Sequence, residues 1–171
     1  MTNKVLTLPK YLLPYDNGYT NMTENVWMRY NGMIQYKDSD FKLFYRVIPY
    51  LIISHKNRYL VFESGGSYCF NINGLAYIKE GLLYDPILTV VKSNATKSVK
   101  SNTNIHHAGY IKTLKHHPND ISVVYSMSTN KENNTCGMWL NLDELINKCR
   151  KFDSFGIEYI DYLVNKKFTR R

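Results

Sequence analysis

The sequence predicts an α/β chain of the α+β kind, with strands through its middle and helices at its end. Two short apolar runs rich in β-branched residues, 47–53 and 58–62, flank the polar tetrapeptide Ser54-His55-Lys56-Asn57, the pattern of a β-hairpin. Two more strand-like runs, 108–114 and 121–127, are separated by the turn His116-His117-Pro118-Asn119-Asp120. Near the C-terminus, apolar residues at 142, 145, 146 and 149, and then a stripe from Phe155 to Val164, repeat with helical spacing.

Taken in order, residues 1 to about 25 carry turn formers throughout, among them Pro9, Pro14, Asp16-Asn17-Gly18 and Asn21. They read as an N-terminal arm laid over the body, with Tyr11, Leu12, Leu13 and Tyr15 as candidate anchors. Residues 22–36 hold Val26, Met28, Met33 and Ile34, broken by Asn31-Gly32, and read as a strand or short hairpin. Residues 1–40 are therefore an arm or extra strands, ahead of one domain over 41–171. Asp38-Ser39-Asp40 either caps a helical turn through Lys42 or forms a loop.

After the hairpin comes a glycine pair, Gly65-Gly66, then a strand over 68–74 and a helix-like stretch over 82–93. Asp85 before Pro86 is a sound helix start, whereas Thr89-Val90-Val91 leans towards strand. Residues 92–104, a mix of Ser, Thr, Asn and Lys without period, read as a solvated loop, and 130–135 as another. Asn141 is a competent helix cap with Glu144 three residues on, close to a capping box. Asp153-Ser154 opens the last helix.

The chain of 171 residues is long enough for one domain with a real core. Its 44% hydrophobic and 21% charged residues describe a globule. The 15 tyrosines fit either a recognition surface or AT-rich codon usage, as in many phage and viral genomes. A formal charge of +8 and a pI near 9.3 favour polyanionic partners. Cys69, Cys136 and Cys149 form neither a disulfide framework nor a Cys-x-x-Cys pair, which leads us to expect a reducing cytoplasm. No apolar run approaches the roughly 20 residues that cross a bilayer. Pro9 and Lys10 interrupt any secretory h-region, so neither a membrane nor a signal peptide is expected.

From Tyr45 to Val164 the order of elements resembles the Nudix hydrolase fold. Arg46-Val47-Ile48-Pro49-Tyr50-Leu51-Ile52 is similar to the first core strand of some members, and Arg58-Tyr59-Leu60-Val61-Phe62 to its hairpin mate. The segment from Gly66 to Gly74 resembles the strand entering the family's glycine pair. His107-Ala108-Gly109-Tyr110-Ile111 and Ile121-Ser122-Val123-Val124-Tyr125 resemble later strands. Gly137 to Leu145 resembles the strand that enters a helix, and Phe152-Asp153-Ser154-Phe155 the start of the terminal helix. The resemblance implies an α/β/α sandwich around a mixed sheet.

It also implies a box, Gly-x5-Glu-x7-Arg-Glu-U-x-Glu-Glu-x-Gly-U with U aliphatic, whose glutamates hold divalent metal against a diphosphate. Gly74 anchors that box here, and Glu80 stands where its first glutamate belongs. The core of the box falls on Leu88-Thr89-Val90-Val91-Lys92-Ser93, which has no carboxylate. The resemblance is thus to a degenerate Nudix protein, a pseudoenzyme that binds and does not hydrolyse.

No catalytic residue and no cofactor are assigned on this reading. Arg46, Arg58, Tyr68, Lys92, Lys97, Lys100, His107, His116, Lys166 and Lys167 are candidates for contacting a nucleotide or nucleic acid, the last two in a tail that ends Arg170-Arg171. Host protein and nucleic acid stay unranked as partners, and a nucleotide-containing ligand is a third expectation. The rival reading is a phosphohydrolase with relocated ligands, using Mg²⁺ held by Glu80 and Asp85 together with Glu63 and Asp120. His106-His107 and His116-His117 could meet as metal ligands, but neighbours on a strand point to opposite faces and loop or strand-end positions are the plainer reading. Ser64-Gly65-Gly66-Ser67 offers backbone N–H groups to a phosphate or simply turns the chain. Cys69, between Tyr68 and Phe70, reads as a structural thiol, and Trp27 and Trp139 as packing residues.

Overall fold

The computed structural model describes residues 4–13, 17–38, 42–81, 84–113, 115–133 and 136–169. Tyr15, Asp16, Ser39, Asp40, Leu82, Leu83, Leu114 and the Arg170-Arg171 end lie outside the described residues. Nine strands and four helices are present among the described ones. The spine is β4 (Phe44–His55), flanked on one side by β8 (His117–Ser128) and on the other by β1 (Val5–Pro9). The main path runs β2 (Gly18–Asn21), β7 (Ile105–Thr113), β8, β4, β1, β3 (Gln35–Lys37). β4 and β8 are parallel over nine residue pairs, and β4 is antiparallel to β1. The sheet is therefore mixed.

Strand β4 shows why the helices cover both faces. Tyr45, Val47, Leu51 and Ile53 enter one hydrophobic cluster, while Ile48, Tyr50 and Ile52 enter the other. A continuous apolar run alternating between two buried faces suits a central strand. The first cluster is covered by α2 (Pro86–Val99), through Ile87, Val91, Ala95 and Val99, and by Trp27 of α1 (Glu24–Asn31). The second is covered by α4 (Ser154–Thr169), through Phe155, Tyr159, Ile160 and Leu163, with Leu145 of α3 (Leu142–Lys148).

The hairpin from β4 to β5 (Arg58–Ser64) forms as predicted, with Lys56 in the left-handed region at φ 52°. β5 then leaves β4 after two residue pairs and takes β6 (Ser67–Cys69) and β9 (Met138–Asn141) as partners. The Asn141–Glu144 capping box is complete, and Asp85 caps α2 with Pro86 in its first turn.

Several local expectations are overturned. Residues 92–99 are not a loop, because α2 runs on to Val99 and ends at Lys100, φ 54°. Its buried face there uses Asn94 and Ser98 beside Ala95 and Val99, which hides the period from a hydrophobicity scan. Residues 24–31 are a helix, not a strand, capped by the Thr23 hydroxyl on the Val26 N–H. The predicted strand over 68–74 ends at Cys69, where the chain turns through Asn71 to Gly74. The reading of residues 1–40 as an arm or extra strands is not among them: residues 5–9 pair with β3 and β4 inside the sheet. No helix among the described residues is long and apolar enough to cross a membrane.

Candidate functional site

Where β5 diverges from β4, the backbone of β4 would be left without partners on that edge. Asn71 fills the gap. Its Oδ1 accepts from Leu51 N at 2.8 Å and its Nδ2 donates to Pro49 O at 2.7 Å. With Asn71 held there, Gly74 takes φ 64° and residues 71–79 fold against α2. The two segments enclose a cleft of about 280 Å³ whose polar lining includes Asn71, Asn73, Tyr77, Lys79 and Asn94. Asn73 Nδ2 donates to Asn94 Oδ1 at 2.9 Å, tying the loop to the buried side of the helix.

This is the segment aligned above with the metal-binding box. Helix α2 carries no carboxylate, and Lys92 and Ser93 are exposed on its outer side. Asp85 Oδ1 accepts from Leu88 N at 3.1 Å as the helix cap. Glu80 is exposed, with its backbone N–H donating to Lys4 O. Glu63 is exposed on β5, and Asp120 is buried among other partners. Among the described residues, no three His, Cys, Asp or Glu side chains gather as a metal-binding group. A hard divalent cation needs several oxygen ligands at once, so this donor set does not fit one.

Asp120 instead organises the start of strands β4 and β8. Its carboxylate, fully buried, meets Arg46 Nε at 2.5 Å, the Tyr77 hydroxyl at 2.9 Å and His117 Nδ1 at 3.2 Å. The Arg46 guanidinium lies 4.5 Å from the centre of the Tyr77 ring. Burial, and then the bond to Asp120, push the Tyr77 hydroxyl up to about 12. Tyr77, which lines the cleft, is thus tied through Asp120 to the Arg46 side chain beneath its ring.

The other sequence candidates fall in separate places. Arg58 makes two bonds to Glu132 at 2.8 and 2.9 Å and donates to the Trp139 carbonyl. Tyr68 packs on Phe152 at 5.6 Å, with Lys148 over its ring. Lys92, Lys97 and Lys100 are exposed along α2, on a helix and not on the expected flexible arm. His116 is exposed at the β7–β8 turn. His107 is buried in the core, stacked on Trp27 at 4.4 Å, and burial lowers its pKa to about 4. Its neighbour His106 faces the opposite side and bonds Ser126 Oγ at 2.7 Å. Lys166 and Lys167 line a groove at the far end of α4.

Cys69 is a structural thiol. Buried, it accepts from Asn71 N at 3.2 Å and lies 4.0 Å from the Tyr50 hydroxyl. Ser64-Gly65-Gly66-Ser67 is the exposed turn joining β5 to β6. Asn71, Asn73, Asn94 and Tyr77 were not singled out from sequence. A polar residue amid Phe70 and Ile72 was the one signal that could have marked Asn71.

No family model and no curated protein matches this chain. Among solved structures, it is similar to the crystal structure of Tm1382, described as "a putative Nudix hydrolase", with a TM-score of 0.72 and 15% identity. The likeness covers 95% of this chain and 98% of that one. The fold is therefore a Nudix-like α/β/α sandwich around a mixed sheet.

Proposed function

We propose that this chain is a catalytically degenerate Nudix-like binding protein, of phage or viral origin, that holds a nucleotide-containing ligand without hydrolysing it. The carrying observation is helix α2, onto which the sequence resemblance maps the core of the box and which carries no carboxylate. Lost carboxylates remove both the metal ligands and the repulsion towards phosphate. The adjoining cleft has Asn73 Oδ1 and the Asn94 amide nitrogen for base or ribose edges, with Lys79 at its rim.

Calorimetric titration with nucleoside di- and triphosphates, alongside a hydrolysis panel with Mg²⁺ and Mn²⁺, tests this. Binding without turnover is expected, weakened by Lys79→Glu. Metal-dependent turnover that falls in Glu80→Gln would replace this reading with that of a phosphohydrolase using relocated ligands.

A further inference from the structure

The sheet face under α4 changes character along β4 and β8. Near the middle it is apolar and sealed by Ile160 and Leu163, but beyond Ile52 it continues as Ser54, Ser126 and His106. A cavity of about 340 Å³ opens above these residues. It shares Tyr59, Leu163 and Lys166 with a second cavity of about 650 Å³ that runs past the β4–β5 turn to α3. The two make one groove along the C-terminal half of α4, on the opposite face from the cleft beside α2.

Its walls are aromatic. Tyr19 reaches in from β2, Tyr59 from β5, and Tyr159 and Tyr162 from α4. The Tyr19 ring centre lies 4.4 Å from that of Tyr162 and 5.2 Å from that of Tyr159. Gly109 makes this possible, because a Cβ at that position would collide with the Thr20 carbonyl and hold β2, with Tyr19, off the sheet. Burial holds the Tyr19, Tyr59 and Tyr159 hydroxyls above their ordinary range, and the Tyr19 hydroxyl donates to the Ala108 carbonyl at 2.9 Å, which fixes its ring in the wall. The rim is cationic. Lys166 Nζ sits 5.7 Å from the Tyr162 ring centre, and Lys167 stands beside it. The one acid lining either cavity, Asp143, is exposed and 3.7 Å from Lys167.

Stacking rings joined to a cationic rim and a hydroxyl-rich floor match a chain of unpaired bases on a phosphate backbone, because every base has a π-face and every link a charge. A duplex hides its bases, and an acidic peptide does not carry a flat ring at every link. We infer that this groove binds single-stranded nucleic acid, a site separate from the nucleotide cleft.

The test is fluorescence anisotropy of labelled oligouridylate and oligothymidylate at low and physiological salt, with circular dichroism to check folding. Binding should persist at physiological salt, with a salt slope of about 0.7 per phosphate contacted. The double variant Lys166→Glu/Lys167→Glu and Tyr162→Ala should each weaken it about tenfold or more, while Tyr162→Phe, which keeps the ring, should restore it. Lys92→Glu/Lys97→Glu, on the opposite face, should bind within about twofold of the parent protein. The two oligonucleotides report whether ribose or deoxyribose is preferred. No binding at physiological salt, or equal losses from the α2 and α4 charge reversals, overturns the inference. Neither outcome bears on nucleotide binding in the cleft.

Discussion

Asn71 acts towards Leu51 as a neighbouring strand would: its side-chain oxygen receives the Leu51 N–H at 2.8 Å while its amide nitrogen serves Pro49 O. A third bond from the same amide nitrogen, to Gly74 O at 3.2 Å, carries the chain into the loop facing α2. One side chain therefore closes an open sheet edge and sets the shape of the proposed ligand cleft.

Replacing Asn71 by Ala leaves a buried N–H and a buried C=O without partners. Urea unfolding should show a loss on the order of 3 kcal/mol, since each stranded group costs about 1–3 kcal/mol. A loss under about 0.5 kcal/mol, typical of a surface site, would contradict this role.

Two arginine–carboxylate pairs should behave differently although both are well formed. Asp120 is fully buried and serves three partners, so Asp120→Ala should cost on the order of 3 kcal/mol. Glu132 and Arg58 are both substantially exposed, and Glu132→Gln should cost under about 1 kcal/mol. Equal effects in denaturant titrations would refute the distinction.

His107 makes stability depend on pH. Its pKa is lowered from 6.5 to about 4, first by burial, between Trp27 and Tyr125. As pH falls through this window the unfolded chain takes up the proton before the folded one does. Stability is thus complete above about pH 6.5 and declines towards pH 4. His107→Phe should flatten that part of the curve of melting temperature against pH. An unchanged slope in the variant would assign the effect elsewhere.

The three cysteines should react in order of access. Cys136 is exposed, Cys149 partly covered and Cys69 buried, where desolvation pushes its thiol up. An alkylating reagent at neutral pH should label Cys136 first and leave Cys69 untouched until the protein unfolds. Early modification of Cys69, read by mass spectrometry, would show that the core around Tyr50 opens readily.

Much of the fold was legible because its signals are local. The 54–57 turn, the Asp85-Pro86 start of α2 and the Asn141–Glu144 box each involve residues a few positions apart. The second half of α2 was not, since Asn94 and Ser98 occupy buried positions by bonding to Asn73 and to the helix backbone, and polar letters conceal the buried face. Helix α1 was missed because Trp27 is its single buried residue. The groove could not be read at all. Tyr19 and Tyr159 come from opposite ends of the chain, and nothing near either one announces the other. The histidine pairs show the same limit: alternation along a strand was foreseen, but not that His107 would be the inward member and His106 the outward one.

The parallel ladder between β4 and β8 joins Arg46 to Asp120 across 74 positions of sequence. During synthesis at about 5–20 residues per second, β4 leaves the ribosome roughly 4–15 s before the strand that will flank it. Asn71 follows Leu51 by only 20 residues, so the other edge is covered far sooner. A nascent chain of this protein therefore carries one closed and one open flank for several seconds, and the open one is the row of residues from Arg46 to Ser54.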